Sequence, residues 1–151
     1  MARAVISVSA AAICATLLLS GCANVSTARM YQGFSEKPKA ICVIRNRKTI
    51  VGQVITGLEK AFDKRGIKHT FADSVAGCSG WKYTLTYSAR RSWDFTTFLG
   101  RLDLKLYRSR KLVSEATYKS GKFVLTKWGQ TEDRVDRLVG KLLGEEQGED
   151  Y

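Results

Sequence analysis

The chain has 151 residues, one ordinary domain's worth, with 25 Lys+Arg against 14 Asp+Glu, a formal charge of +11 and a sequence pI near 9.7. Hydrophobic residues make up 44%, enough for a packed core and too many for a disordered chain. One His, one Pro and four Cys exclude a Cys/His zinc module, a Pro-rich segment and any chemistry needing two histidines.

Residues 1–19 read as a secretory signal: Arg3 is a short basic start, and the 16 residues 4–19 are apolar or small and uncharged. That stretch is short of the about 20 residues a membrane-spanning helix needs. It ends Leu19-Ser20-Gly21-Cys22, a branched aliphatic residue, two small ones and a thiol, which resembles the lipobox of bacterial lipoproteins. Small residues let the extended chain enter the peptidase, and the Cys22 thiol accepts a diacylglyceryl thioether. Each buried CH2 of an acyl chain contributes about 0.8 kcal/mol, so two or three chains anchor stably where one binds reversibly. Ala23 rather than Asp follows the cysteine, which by the enterobacterial sorting rule implies the outer membrane with the domain facing the periplasm.

Cleavage before Cys22 removes Arg3 and leaves a charge of +10, unevenly spread: +12 in residues 45–127 and −4 in residues 128–151. In the periplasm such a body would meet lipid head groups or anionic polymers, not nucleic acid; the alternative is charge serving solubility. Cys14 leaves with the signal and Cys22 is acylated. Cys42 and Cys78 remain, an even pair in an oxidising compartment, which reads as a disulfide against the alternative of two buried free thiols.

Residues 22–39 are small and polar with Gly33 and Pro38, and read as a tether, although Tyr31 and Phe34 could dock. Residues 40–144 read as the domain. Residues 40–44 form an apolar run, a buried strand. Asn46 or Thr49 would cap a helix with the stripe Val51, Val54, Ile55, Leu58, Ala61, Phe62, stopped by Gly66. Lys60, Lys64 and Arg65 in its last turns suit the helix dipole. Ile67, His69 and Phe71 alternate as a second strand. In residues 81–89, Trp81, Tyr83, Leu85, Tyr87 and Ala89 share one face and Lys82, Thr84, Thr86 and Ser88 the other. Residues 90–94 either continue that strand or turn.

Leu102, Leu104 and Leu106 alternate in the next strand; Leu112, Ser114, Ala116 and Tyr118 in the one after, across a short turn lacking glycine. Residues 123–125 read as a short strand or loop. Val135, Leu138, Val139, Leu142 and Leu143 trace a last helix after a Thr131 cap, ended by Gly144 and followed by a fraying acidic tail, residues 145–151. The order β-α-β-β-β-β-α predicts an α+β two-layer sandwich: a mostly antiparallel sheet with two helices on one face, its first two strands parallel.

These residues resemble a family of short, largely uncharacterised Gram-negative outer-membrane lipoproteins. The likeness rests on the lipobox, the strand Ile41-Cys42-Val43-Ile44, the helix ending before Gly66-Ile67, the Thr-Leu-Thr-Tyr strand at 84–87, Ser92-Trp93-Asp94, and Lys127-Trp128 before the last helix. It covers residues 40–143 and implies fold and address, with no established reaction, substrate or partner. Ser109-Arg110 departs from it, standing where a Gly-containing turn belongs.

Catalytic chemistry is not evident. A general acid/base pair needs two converging carboxylates. Glu59 and Asp63, one helical turn apart, read as a solvated face, and His69 as a packed or surface histidine. No phosphate loop, nucleophile elbow or His-Glu-x-x-His occurs. Arg90, Arg91, Trp93 and Asp94 are the most suggestive cluster. It is either a contact patch with Arg and Trp anchors or an Asp–Arg pair beside a core-packed Trp93, the second being the default. The expectation is a non-catalytic, lipid-anchored envelope protein without cofactor or metal, binding a protein complex or anionic polymer; the alternative is a small-ligand or lipid-binding module.

Overall fold

The computed structural model describes residues 24–49, 52–94, 96–121 and 131–145. The strands are β1 (Val25–Met30), β2 (Ala40–Ile44), β3 (Lys68–Ala72), β4 (Tyr83–Asp94), β5 (Thr96–Arg108) and β6 (Lys111–Lys119). The helices are α1 (Gly52–Lys64) and α2 (Thr131–Leu142), with a 3-10 turn at Ala76–Cys78. One six-stranded sheet has the order β1-β6-β5-β4-β2-β3. The β1–β6, β6–β5 and β5–β4 pairs are antiparallel, whereas β2 runs parallel to both β3 and β4. This is the expected α+β sandwich, with α1 supplying the crossover between the parallel strands β2 and β3.

Alternation explains the layers. Tyr83, Leu85, Tyr87 and Ala89 of β4 and Leu102, Leu104 and Leu106 of β5 are buried against Val54, Leu58, Ala61 and Phe62 of α1 and Val135, Leu138, Val139 and Leu142 of α2. Both helices stop at a left-handed glycine. Gly66 (φ 64°) and Gly144 (φ 71°) each follow a last turn whose carbonyls accept from the next two N–H groups, Ile67 onto Phe62 and Glu145 onto Gly140.

Several expectations are corrected. Residues 25–30, assigned to the tether, form β1, and Phe34 packs against the core. The segment is held throughout: Asn24 Oδ1 accepts from Gly121 N (3.2 Å), Tyr31 N–H donates to Val113 O (2.9 Å), and Arg108 donates to Gly33 O (3.2 Å). Trp81 precedes β4 and is only half-buried. Residues 90–94 continue β4, and β5 begins six residues before Leu102, so the β4–β5 hairpin is long. Two bulges break the simple alternation. Val113 is the extra residue of β6, so Val113 and Ser114 are both buried, and Gly100 is the extra residue of β5. Asn46 and Thr49 serve β4 rather than a cap: Asn46 Nδ2 donates to Tyr87 O (3.0 Å) and Thr49 Oγ1 accepts from Ala89 N (3.4 Å). Residues 123–125, Lys127-Trp128 and Val51 lie outside the described residues.

Lys60, Lys64 and Arg65 pair with α2 instead of answering only their own dipole. Lys60 meets Glu132 at 2.5 Å and Lys64 meets Asp136 at 2.7 Å. Arg65, with its side chain 10% exposed, forks between Asp136 and Glu145. Glu145 is thereby tied down; residues 146–151 of the predicted tail lie outside the described residues.

The helices touch at Gly57, where an added Cβ would sit 2.9 Å from Val135 Cβ. Gly57→Ala gains about 1 kcal/mol of helix propensity, but overpacking costs roughly 1–3 kcal/mol. The expected net effect in urea unfolding is a loss of about 1 kcal/mol, which adding Val135→Ala should not restore, because the Cβ at 2.9 Å stays and a buried side chain is truncated.

Candidate functional site

With both helices on one face, the other face of the sheet is left to polar side chains in cross-strand rows. Arg90, Arg101, Lys119 and Val25 are in register across β4, β5, β6 and β1. The next row holds Ser88, Asp103, Thr117 and Thr27, and the one after it Thr86, Lys105, Glu115 and Arg29. Arg101, Lys105 and Lys119 thus lie together on the open face, joined by Arg29, which sequence reading placed in the tether. Lys82 lies before β4 at the far end, paired with Glu36.

Two carboxylates interrupt the cations. Asp103 accepts a fork from Arg101, Nε at 2.7 Å and Nη2 at 2.8 Å, and a third bond from Thr117 Oγ1 at 2.8 Å. Burial alone would raise the Asp103 carboxyl; the Arg101 and Thr117 bonds outweigh it and hold it below its ordinary value of 3.8. Glu115 accepts from the Tyr31 hydroxyl at 2.6 Å. Arg90, Arg91, Lys105 and Lys119 make no salt bridge among the described residues.

Beyond the Arg90–Arg101–Lys119 row, β4 and β5 continue as a two-stranded ribbon with Arg91 opposite Leu99, Ser92 opposite Phe98 and Trp93 opposite Thr97. The bulge at Gly100 sits where the ribbon leaves the sheet. An added Cβ there would meet Ser92 Oγ at 2.1 Å, so the close approach of the strands excludes larger residues. The default expectation for Trp93 fails: it is 75% exposed, not in the core, and Arg90 and Arg91 beside it are exposed too. Arg90, Arg91 and Trp93 all face solvent. The side chain of Asp94 lies outside the described set.

The remaining candidates resolve into structure. Cys42 and Cys78 form a disulfide, Cα to Cα 5.6 Å. Cys42 shares the open-face register with Thr84, so the bridge pins the 3-10 turn over β2 and buries the one strand that is apolar on both faces. His69 lies between Phe62 (5.6 Å) and Phe71 (5.9 Å), its Nδ1 3.3 Å from Ile67 O and 3.8 Å from the exposed Asp63 carboxylate. Among the described residues no three His, Cys, Asp or Glu side chains gather as a metal site. No described helix is long and apolar enough to cross a membrane. At the edge opposite the ribbon, a cleft of about 580 Å³ is lined by Lys39, Trp81, Lys82 and Tyr83 among others, a feature no motif announces because its residues come from two segments about 40 residues apart.

The pairing around Asp103 makes a pH-dependent contribution. Its folded value is depressed, so the stability it adds is present above pH 3.8 and is lost as pH falls through the lower folded value. Asp103→Asn should cost about 1 kcal/mol at pH 7, and the gap from wild type should close in unfolding measurements carried below that range.

No protein-family model matches the chain, and no curated protein sequence matches it. Solved structures with a similar fold exist. The PelC dodecamer of Paraburkholderia phytofirmans is similar over 85% of this chain and 100% of its own, with a TM-score of 0.56 and 12% identity. A singly substituted PelC from the same organism is similar over 79% of this chain and 98% of its own, with a TM-score of 0.51 and 13% identity. At these identities the likeness is one of fold.

Proposed function

We propose that this chain is a non-catalytic lipoprotein, anchored through Cys22 in the outer membrane and facing the periplasm, whose open sheet face binds another envelope component. The observation that carries the reading is that face: across β4, β5, β6 and β1 no described element covers it, and it sets Arg29, Arg90, Arg101, Lys105 and Lys119 against Asp103 and Glu115. Such a surface suits an acidic protein complex or an anionic polymer, each held through cations whose attraction weakens with salt. The lipobox supports the anchor. The ring packing of His69 and the solvated helical face of Asp63 support a role without catalysis. Because a protein of similar fold is known as a dodecamer, a second copy of the chain counts among the candidate components.

The alternative, a small-ligand module, is favoured by the cleft at Lys39, Trp81 and Lys82, whereas the space between sheet and helices is filled by the core.

Two experiments test the proposal. A clickable palmitate analogue should label the wild type in cells and leave Cys22→Ala unlabelled as a precursor; labelling of the variant removes the anchor. A photocrosslinker at position 105 in intact cells should form adducts that one at Thr56, on the exposed side of α1, does not. Arg29→Glu with Lys119→Glu should reduce them severalfold, and adduct size separates self-association, another protein and polymer. Equal adducts from both positions would refute the open face as the binding surface.

A further inference from the structure

The start of β1, close in sequence to Cys22, and the Arg/Trp ribbon lie at the same edge of the domain. Asn24, two residues after Cys22, is fastened to the end of β6 by Gly121 N (3.2 Å) and the Tyr118 hydroxyl (3.4 Å). At about 3.8 Å per residue, the Cys22 Cα lies within about 8 Å of the Asn24 Cα. Val25 is paired with Lys119, Lys119 with Arg101 and Arg101 with Arg90. At about 4.8 Å between strands, that row spans about 14 Å. Trp93 stands three residues further along β4, about 10 Å beyond the row on the same side.

From this juxtaposition we infer that the β4–β5 ribbon and the Arg90–Arg101–Lys119 row dock on the anionic phospholipid surface that holds the anchor. The inference rests on the lipoprotein reading of Cys22. A two-residue link leaves the domain little freedom to swing, so whatever lies at this edge is held at head-group level. What lies there is chemically suited to it. Trp93 is an amphipathic ring exposed by 75%, matching the preference of Trp for the membrane–water boundary. Arg90, Arg91 and Lys119 are cations without salt bridges among the described residues, which phosphate groups can neutralise. The strands therefore stand on end at the membrane. The Ser109–Arg110 turn and the cleft at Trp81 point away from it, and the open face is presented sideways to the periplasm.

The test uses the full processed lipoprotein reconstituted in phosphatidylethanolamine–phosphatidylglycerol vesicles containing lipids brominated near the head group, with the mass of the N-terminal peptide measured in parallel. Tryptophan emission should fall by up to about a third, Trp93 being one of three tryptophans, and Trp93→Phe should remove most of that loss, as expected for a ring at the interface. Arg90→Glu with Arg91→Glu should reduce the quenching too, as should replacing the phosphatidylglycerol with phosphatidylcholine. An acylated Cys22 with quenching indifferent to Trp93→Phe would overturn the docking while leaving the anchor standing. An unacylated Cys22 would overturn the anchor and the docking with it. A photocrosslinker at position 93 that captures protein, with no lipid quenching, would assign the ribbon to a protein partner and refute the inference.

Discussion

One-sided burial of the sheet is the constraint on which the structure depends. Two helices cover one face, and they can do so as a continuous layer only because Gly57 lets α1 approach Val135 of α2 closely. Tyr83, Leu85, Tyr87 and Ala89 of β4 and Leu102, Leu104 and Leu106 of β5 are thereby committed to the core. A shift of one residue would exchange Leu102, Leu104 and Leu106 for Arg101, Asp103 and Lys105, which no helical layer could absorb. The same register that buries the leucines therefore sets the cations on the open face. The chemistry of that face is a by-product of the packing opposite it, and its rigidity comes from the same source.

The strand β2 is the exception. Lying between β3 and β4 and parallel to both, it is buried on two faces, Ile41 and Val43 beneath the helices and Cys42 on the otherwise open side. A parallel strand with an uncovered face would be at odds with its apolar run. The disulfide to Cys78 resolves this by holding a 3-10 turn over Cys42. Closing a loop of this separation, 36 residues, stabilises by roughly 3–4 kcal/mol in the chain-entropy view. The bond thus both stabilises the fold and completes its second layer where helices are missing.

Most of the sandwich was legible because the buried positions follow periods of 2 and 3.6, and because Gly66 and Gly144 stop the helices where left-handed residues are required. Where legibility failed, long-range pairing had overridden local signals. β1 is short and mostly exposed, with Ser26, Thr27 and Arg29 in six residues, and exists because β6 offers it a ladder. The bulges at Gly100 and Val113 depend on the partner strand, so alternation read along a single strand could not show them. The Ser109–Arg110 turn takes positive φ at both residues, 48° and 70°, the geometry that Asn-Gly normally serves; strand pairing on either side imposes it on residues that tolerate it poorly. Trp93 shows the same limit. Strand parity alone puts it on the core side with Ala89, but the hairpin outruns the core, and how far a hairpin extends is decided by the pairing of its two arms.

The uneven charge of the chain acquires a physical meaning in this fold. The acidic C-terminal segment places Glu132, Asp136 and Glu145 against Lys60, Lys64, Arg65 and Lys37, so the helical side of the molecule neutralises itself. Burial would raise the Asp136 carboxyl, yet the bonds from Arg65 and Lys64 hold it below its ordinary value, so these pairs persist at neutral pH. Few carboxylates are left for the sheet: Asp103 is engaged by Arg101, and Glu115 by Tyr31. The open face carries Arg29, Arg90, Arg101, Lys105 and Lys119 against Asp103 and Glu115, a local excess of +3, while Arg47, Lys48, Arg110 and Arg137 are exposed elsewhere. That local excess, with the exposed Trp93 at the edge where β1 begins, sets the open side of the sheet apart from the helical side, where carboxylates meet the cations pair by pair.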